Sequence, residues 1–124
     1  MKAFIAMDAD GTVDDHGVNH WPGVPTGPIP VPLLKQIAEK HKVMVIGNTW
    51  LQDEGFDGIK NDHGLPVAGI AVGKSKMLKQ WRAEFPGYDR YVVVDDNWKQ
   101  YDEGWEGWEC MSPQVFLKRA AEFT

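Results

Sequence analysis

Residues Phe4-Ile5-Ala6-Met7-Asp8-Ala9-Asp10-Gly11-Thr12 form an apolar run that stops at two carboxylates one residue apart. A short apolar run bounded by an Asp-Gly turn signal reads as a buried strand over residues 3–8. Side chains alternate between the faces of a strand, so in extended backbone Asp8 and Asp10 point to the same side. Two like charges that close repel each other unless a cation or a shared proton relieves them. This strand end is therefore expected to form a metal site where one carboxylate attacks and its neighbour moves protons. A strand followed by an ordinary Asp-Gly turn is the competing reading, and the rest of the chain weighs against it.

The pattern recurs further along. Val43-Met44-Val45-Ile46 is an apolar run ending at Gly47-Asn48-Thr49. Tyr91-Val92-Val93-Val94, β-branched through its centre, runs straight into Asp95-Asp96. Between these strands lie helical patterns. Leu33, Leu34, Ile37, Ala38 and His41 recur at helical spacing, with Pro32 acceptable near the start. Met77, Leu78, Trp81 and Phe85 mark an amphipathic helix that opens at Lys74 and ends at Pro86-Gly87. Ser112-Pro113 reads as the N-cap and first residue of a last helix burying Phe116, Leu117, Ala120 and Phe123. Residues 67–72 and 108–111 are shorter strand candidates. Residues 50–66 are ambiguous, admitting a short helix near 50–55 broken by Gly55, Gly58 and Gly64, and residues 13–32 are so rich in Gly and Pro that an irregular stretch is expected there. A long irregular connection in a small domain is usually functional.

Strands alternating with helices imply an α/β fold: a three-layer α/β/α sandwich with a central, mostly parallel sheet, Rossmann-like in plan. In such sheets ligands bind beyond the carboxyl ends of the strands. Asp8/Asp10, Asn48/Thr49 and Asp95/Asp96 each follow an apolar strand directly, so folding is expected to gather them at one rim.

The chain has 124 residues, enough for one domain over 1–124, and its 43% hydrophobic and 11% aromatic content supports a real core. A formal net charge of -5 disfavours nucleic acid, whose binding relies on Lys and Arg meeting phosphates. Cys110 is the only cysteine, which excludes an intrachain disulfide and a cysteine-rich zinc site and fits a reducing cytoplasm. The N-terminal apolar run is too short for a signal peptide or membrane span, so no membrane association is expected.

In these motifs the sequence resembles the haloacid dehalogenase superfamily of phosphohydrolases. Asp8-Ala9-Asp10-Gly11-Thr12 matches the family's first motif, Asp-x-Asp-Gly-Thr; Lys74 at a helix start resembles the third; Val92-Val93-Val94-Asp95-Asp96 resembles the paired-acid form of the fourth. The resemblance implies a magnesium-dependent phosphatase that hydrolyses a phosphomonoester through an aspartyl-phosphate. Asp8 would be the nucleophile and Asp10 the general acid and base. Lys74 would hold Asp8 and the phosphoryl group together. Mg2+ would bind Asp8, the Asp10 backbone carbonyl and Asp95, with Asp96 a further ligand or a water-orienting group. Gly11 and Thr12 complete the first motif beside the substrate. The second motif departs from the family pattern. Gly47-Asn48 stands where Thr or Ser is usual and Thr49 comes late, so the phosphoryl group is held by Thr49 or by Gly47 and Asn48. Lys76 is a rival for the Lys74 role.

The family's larger members insert a cap domain, and residues 13–32 are too few for one. The chain resembles a capless member with residues 13–24 as a short flap. Its open site suits a phosphorylated macromolecule, or a small substrate covered by a neighbouring subunit of a homo-oligomer. The altered second motif also motivates a non-enzymatic alternative: a catalytically weak module that binds a phosphorylated ligand or protein. Other residues read more plainly. Asp14, Asp15, His16 and His20 read as a solvated loop, His41 as packing or helix-terminal, and Asp102, Glu103, Glu106 and Glu109 as a solvated face. Trp98, Tyr101, Trp105 and Trp108 read as packing, with Trp98 the best placed to touch substrate.

Overall fold

A computed structural model describes residues 1–8, 11–14, 27–46, 67–68, 74–101 and 107–124. In chain order the strands are β1 (Ala3–Asp8), β2 (Val13–Asp14), β3 (Ile29–Pro30), β4 (Lys42–Ile46), β5 (Val67–Ala68), β6 (Arg90–Val94) and β7 (Glu109–Met111). The helices are α1 (Val31–Ala38), α2 (Lys74–Glu84) and α3 (Pro113–Lys118), with 3-10 turns at Trp98–Gln100 and Ala120–Glu122. Five strands form one sheet in the order β5-β4-β1-β6-β7, and every neighbouring pair is parallel. The expected α/β class with a mostly parallel sheet is what the chain adopts.

Burial on both faces explains the uniform apolar character of β1, all six of whose residues are buried. Ala3, Ile5 and Met7 join one core with Val92 and Val94 of β6, and Val31, Leu34 and Ile37 of α1 close it together with Phe116 and Phe123. Phe4 and Ala6 join the other core with Tyr91 and Val93, covered by Leu78 and Trp81 of α2. Phe4 is the hinge of that second core: its ring lies within 5.7 Å of those of Trp81, Phe85, Tyr88 and Trp108.

The ends of the Gly/Pro-rich stretch are more regular than its composition suggests. Val13 pairs with Ile29 in a second, two-stranded parallel sheet. Gly27 N–H donates to the Val13 carbonyl at 3.1 Å and Ile29 N–H to that of Thr12 at 3.0 Å. A side chain at Gly27 would collide with the Thr12 backbone, so glycine lets the chain return tightly against the end of the first motif. Residues 15–26 lie outside the described residues.

Two helix limits also move. α1 stops at Ala38, and His41 precedes β4 rather than riding the helix; its Nδ1 accepts the Ala3 N–H at 3.0 Å. α3 has the expected Ser112 cap on Val115 N–H but ends at Lys118, and the 3-10 turn then carries Phe123 into the core. Leu117 and Ala120 are only half-buried. No helix among the described residues is long and apolar enough to cross a membrane.

Leu78 is fully buried, while Val115 on α3 is 40% exposed. Leu78→Ala should cost about 2–5 kcal/mol in urea unfolding, and Val115→Ala no more than about 0.5 kcal/mol. Equal losses at the two positions would contradict the packing of α2 on the sheet.

Candidate functional site

Register and parity bring the acids together. β1 and β6 are paired with Met7 opposite Val94, so Asp8 and Asp95 emerge side by side at the carboxyl ends. Asp8 shares the parity of Phe4 and Ala6, and Asp95 that of Tyr91 and Val93. Both therefore belong to the face that α2 covers. Lys74 is the first residue of α2, and its Nζ donates to Asp8 Oδ1 at 2.5 Å and to Asp95 Oδ2 at 3.0 Å. Asp8 is 3% exposed and Asp95 1%.

The turn after β1 is tied to the turn after β6. Thr12 is fully buried, and its hydroxyl donates to Asp8 Oδ2 while accepting the Asp96 N–H, both at 3.1 Å. Expected beside the substrate, Thr12 is a cross-link between the first and fourth motifs. Gly11 has φ +72°, and a Cβ there would run into the Asp96 carboxylate. Glycine thus meets a backbone and a space requirement at once. Among the described contacts, Asp95 is the most heavily bonded of the acids. Its Oδ1 accepts Asn97 N–H at 2.9 Å, and its Oδ2 accepts Gln100 Nε2 at 3.2 Å and the Tyr101 hydroxyl at 3.3 Å besides Lys74.

Among the described residues the charges at this rim do not balance. Asp8, Asp95 and Asp96 each offer a carboxylate oxygen, all within 4.8 Å of one another, and Lys74 is the cation bonded to Asp8 and Asp95. Each attraction and each repulsion is worth about 4 kcal/mol at 4 Å in surroundings of effective dielectric 20, so one ammonium does not neutralise several acids. Burial first, and the Asp95 charge second, push the Asp8 carboxyl up to about 8; Lys74 only partly offsets them. Burial works against the Lys74 charge, yet Asp8 and Asp95 outweigh it and hold the ammonium above its ordinary range. Burial and the neighbouring Asp95 likewise push the Tyr101 hydroxyl up, keeping it a donor. An excess of clustered carboxylate oxygens is the donor set a hard divalent cation such as Mg2+ takes, so these residues fit that ion.

The structure therefore brings Asp8, Gly11, Thr12, Lys74, Asp95 and Asp96 into one rim. Lys76 is exposed, and it is Lys74 that reaches the acids. Asp10, Gly47, Asn48 and Thr49 lie outside the described residues. No sequence motif marks Gln100, and the reading of Tyr101 as packing leaves out its hydroxyl. The available signal was the chain turning back on itself after Asp95-Asp96, which returns residues five and six positions on to the same carboxylate. Trp98, on that turn, is 40% exposed, and Trp108 is fully buried. Glu109, its side chain 41% exposed, is also paired: both its oxygens accept from Arg90, each at 2.8 Å, while Asp102, Glu103 and Glu106 lie outside the described residues.

Because Asp8 favours its proton in the folded chain, its contribution to stability is complete below about pH 4 and is lost as pH rises through about 8. In chelator, Asp8→Asn should gain stability over the parent progressively across that window, reaching a few kcal/mol above pH 8. Chemical denaturation at a series of pH values checks this, and a difference independent of pH contradicts it. Comparison with protein-family models, with curated proteins and with solved structures finds no match to this chain.

Proposed function

We propose that the chain is a small, capless relative of the haloacid dehalogenase superfamily, a three-layer α/β/α domain acting as a magnesium-dependent phosphomonoester phosphatase. The observation that carries this reading is the bridging of Asp8 and Asp95 by Lys74 at the carboxyl ends of adjacent parallel strands. A buried carboxylate held at a fixed point by a lysine is equipped for in-line attack on phosphorus. The same proposal places the protein in the cytoplasm, with a phosphorylated small molecule or macromolecule as substrate.

In this mechanism an Asp8 oxygen forms a bond to phosphorus as the ester P–O bond breaks. The leaving oxygen takes a proton from Asp10. Asp10, now a carboxylate, accepts a proton from water, whose oxygen attacks phosphorus and releases inorganic phosphate with Asp8 restored. Lys74 faces Asp8 throughout and offsets the negative charge that accumulates as the phosphoryl group arrives. Thr12 holds the spacing between Asp8 and the Asp96 backbone during the cycle. Asp8, Asp95, Asp96 and the Asp10 backbone carbonyl would hold Mg2+, which when bound supplies positive charge to the acids and the phosphate.

Hydrolysis of p-nitrophenyl phosphate with Mg2+ should fall at least about a thousandfold in Asp8→Asn and about a hundredfold in Lys74→Met. Lys74→Met should also tighten Mg2+ binding, because it removes a competing cation from the carboxylates. No turnover across a panel of phosphoesters, with Mg2+ and phosphate still bound, would instead support the phosphoryl-binding module.

A further inference from the structure

Asp95 accepts hydrogen bonds unequally on its two oxygens. Oδ2 accepts from Lys74 at 3.0 Å, Gln100 at 3.2 Å and Tyr101 at 3.3 Å, whereas among the described residues Oδ1 accepts only the Asn97 N–H at 2.9 Å. A carboxylate offers about four lone-pair positions over two oxygens. Oδ2 is thus fully committed, and Oδ1 keeps capacity for one more partner.

We propose that Gln100 and Tyr101 are positioning residues that fix the Asp95 carboxylate with Oδ1 alone available to a cation, so that the site selects a small divalent ion over a larger one. This rests on the cation site of the phosphatase reading. The local chain delivers both donors. Gln100 N–H donates to Asn97 O and Tyr101 N–H to Trp98 O, each at 3.1 Å, which curls residues 97–101 back over Asp95. Tyr101 is 5% exposed and packed in the α2-side core, so its hydroxyl reaches Asp95 from a fixed ring. The Asp95 backbone is fixed too, its N–H donating to Met111 O at 3.2 Å. Turning the carboxylate to present both oxygens would break the bonds on Oδ2. Ca2+ takes more ligands than Mg2+ and readily uses a carboxylate through both oxygens; Mg2+ favours single-oxygen ligands with retained water. A carboxylate locked to one oxygen therefore disfavours the larger ion.

The test is calorimetric titration of the full chain, stripped of metal, with Mg2+ alone and with Ca2+ alone, in the parent, Tyr101→Phe and Gln100→Leu. The ratio of Mg2+ to Ca2+ affinity should fall about tenfold in each variant, the size expected for groups that orient a metal ligand. A change in stability alone would lower both affinities without moving the ratio. If Tyr101→Phe does not melt cooperatively, Gln100→Leu decides, since Gln100 is exposed and its replacement leaves the core intact. A ratio unchanged in the folded variants, with Mg2+ bound by the parent, overturns this inference and leaves the phosphatase reading standing. A parent chain that binds neither ion overturns both.

Discussion

One ammonium held between two buried carboxylates is the constraint to which the rest of the structure answers. Lys74 reaches Asp8 and Asp95 only because β1 and β6 are adjacent, parallel and in a register that ends both at the same level. It approaches from the correct side only because Leu78 and Trp81 seat α2 on the face that carries Phe4, Ala6 and Val93. Slipping one strand by a residue would turn its acid to the α1 face, away from the lysine. The Thr12 hydroxyl and the missing Cβ of Gly11 serve the same end, holding the Asp96 turn against the Asp8 turn.

The opposite end of the sheet is built differently. Arg90, the first residue of β6, donates to both oxygens of Glu109 at the start of β7 and to Glu122 in the last turn, each at 2.8 Å. Arg119 adds a 2.7 Å bond to Glu122, and Arg119 and Arg90 hold that carboxyl down to about 2. His41 nearby accepts the Ala3 N–H and stacks edge-on against Phe123, and burial keeps its imidazole below the ordinary range. Here charges are matched, while at the carboxyl ends they are left in excess. Exposed ion pairs add little individually, but this network ties the C-terminal turn to two strands.

The elements most legible in the sequence were those whose local pattern and tertiary setting agree. Val92-Val93-Val94 is β-branched, uniformly apolar and buried on both faces, so propensity and burial point the same way. Lys74 is legible through the resemblance to the third motif, and the helix pattern beginning there separates it from Lys76. Asp8 and Asp95 were found because an apolar run cannot continue through a carboxylate. Less visible were features that depend on a distant partner. Glu109 looks like one of several surface acids until the parallel pairing of β6 and β7 sets it beside Arg90. Tyr101 has an aromatic ring suited to a core and does pack in one; only the fold shows that its hydroxyl ends on Asp95. The early stop of α3 belongs to the same class, because Phe123 reaches the α1-side core through a 3-10 turn rather than by helical spacing.

The excess of negative charge gives the two ends of the sheet opposite thermodynamic roles. A fold selected only for stability would pair Asp95 with Lys74 and place an amide or apolar residue at position 8, because a second buried carboxylate adds repulsion and desolvation that its bonds to Lys74 and Thr12 only partly offset. Instead Asp8 is buried, bonded to Thr12 and Lys74, and still driven to hold a proton. Arg90, Glu109, Arg119 and Glu122 pair their charges at the far end. Destabilisation concentrated at the carboxyl-end rim is consistent with the proposed binding of added positive charge there. The Asp8 carboxylate is then a cost of the fold, and under the proposed function a bound cation is what offsets it.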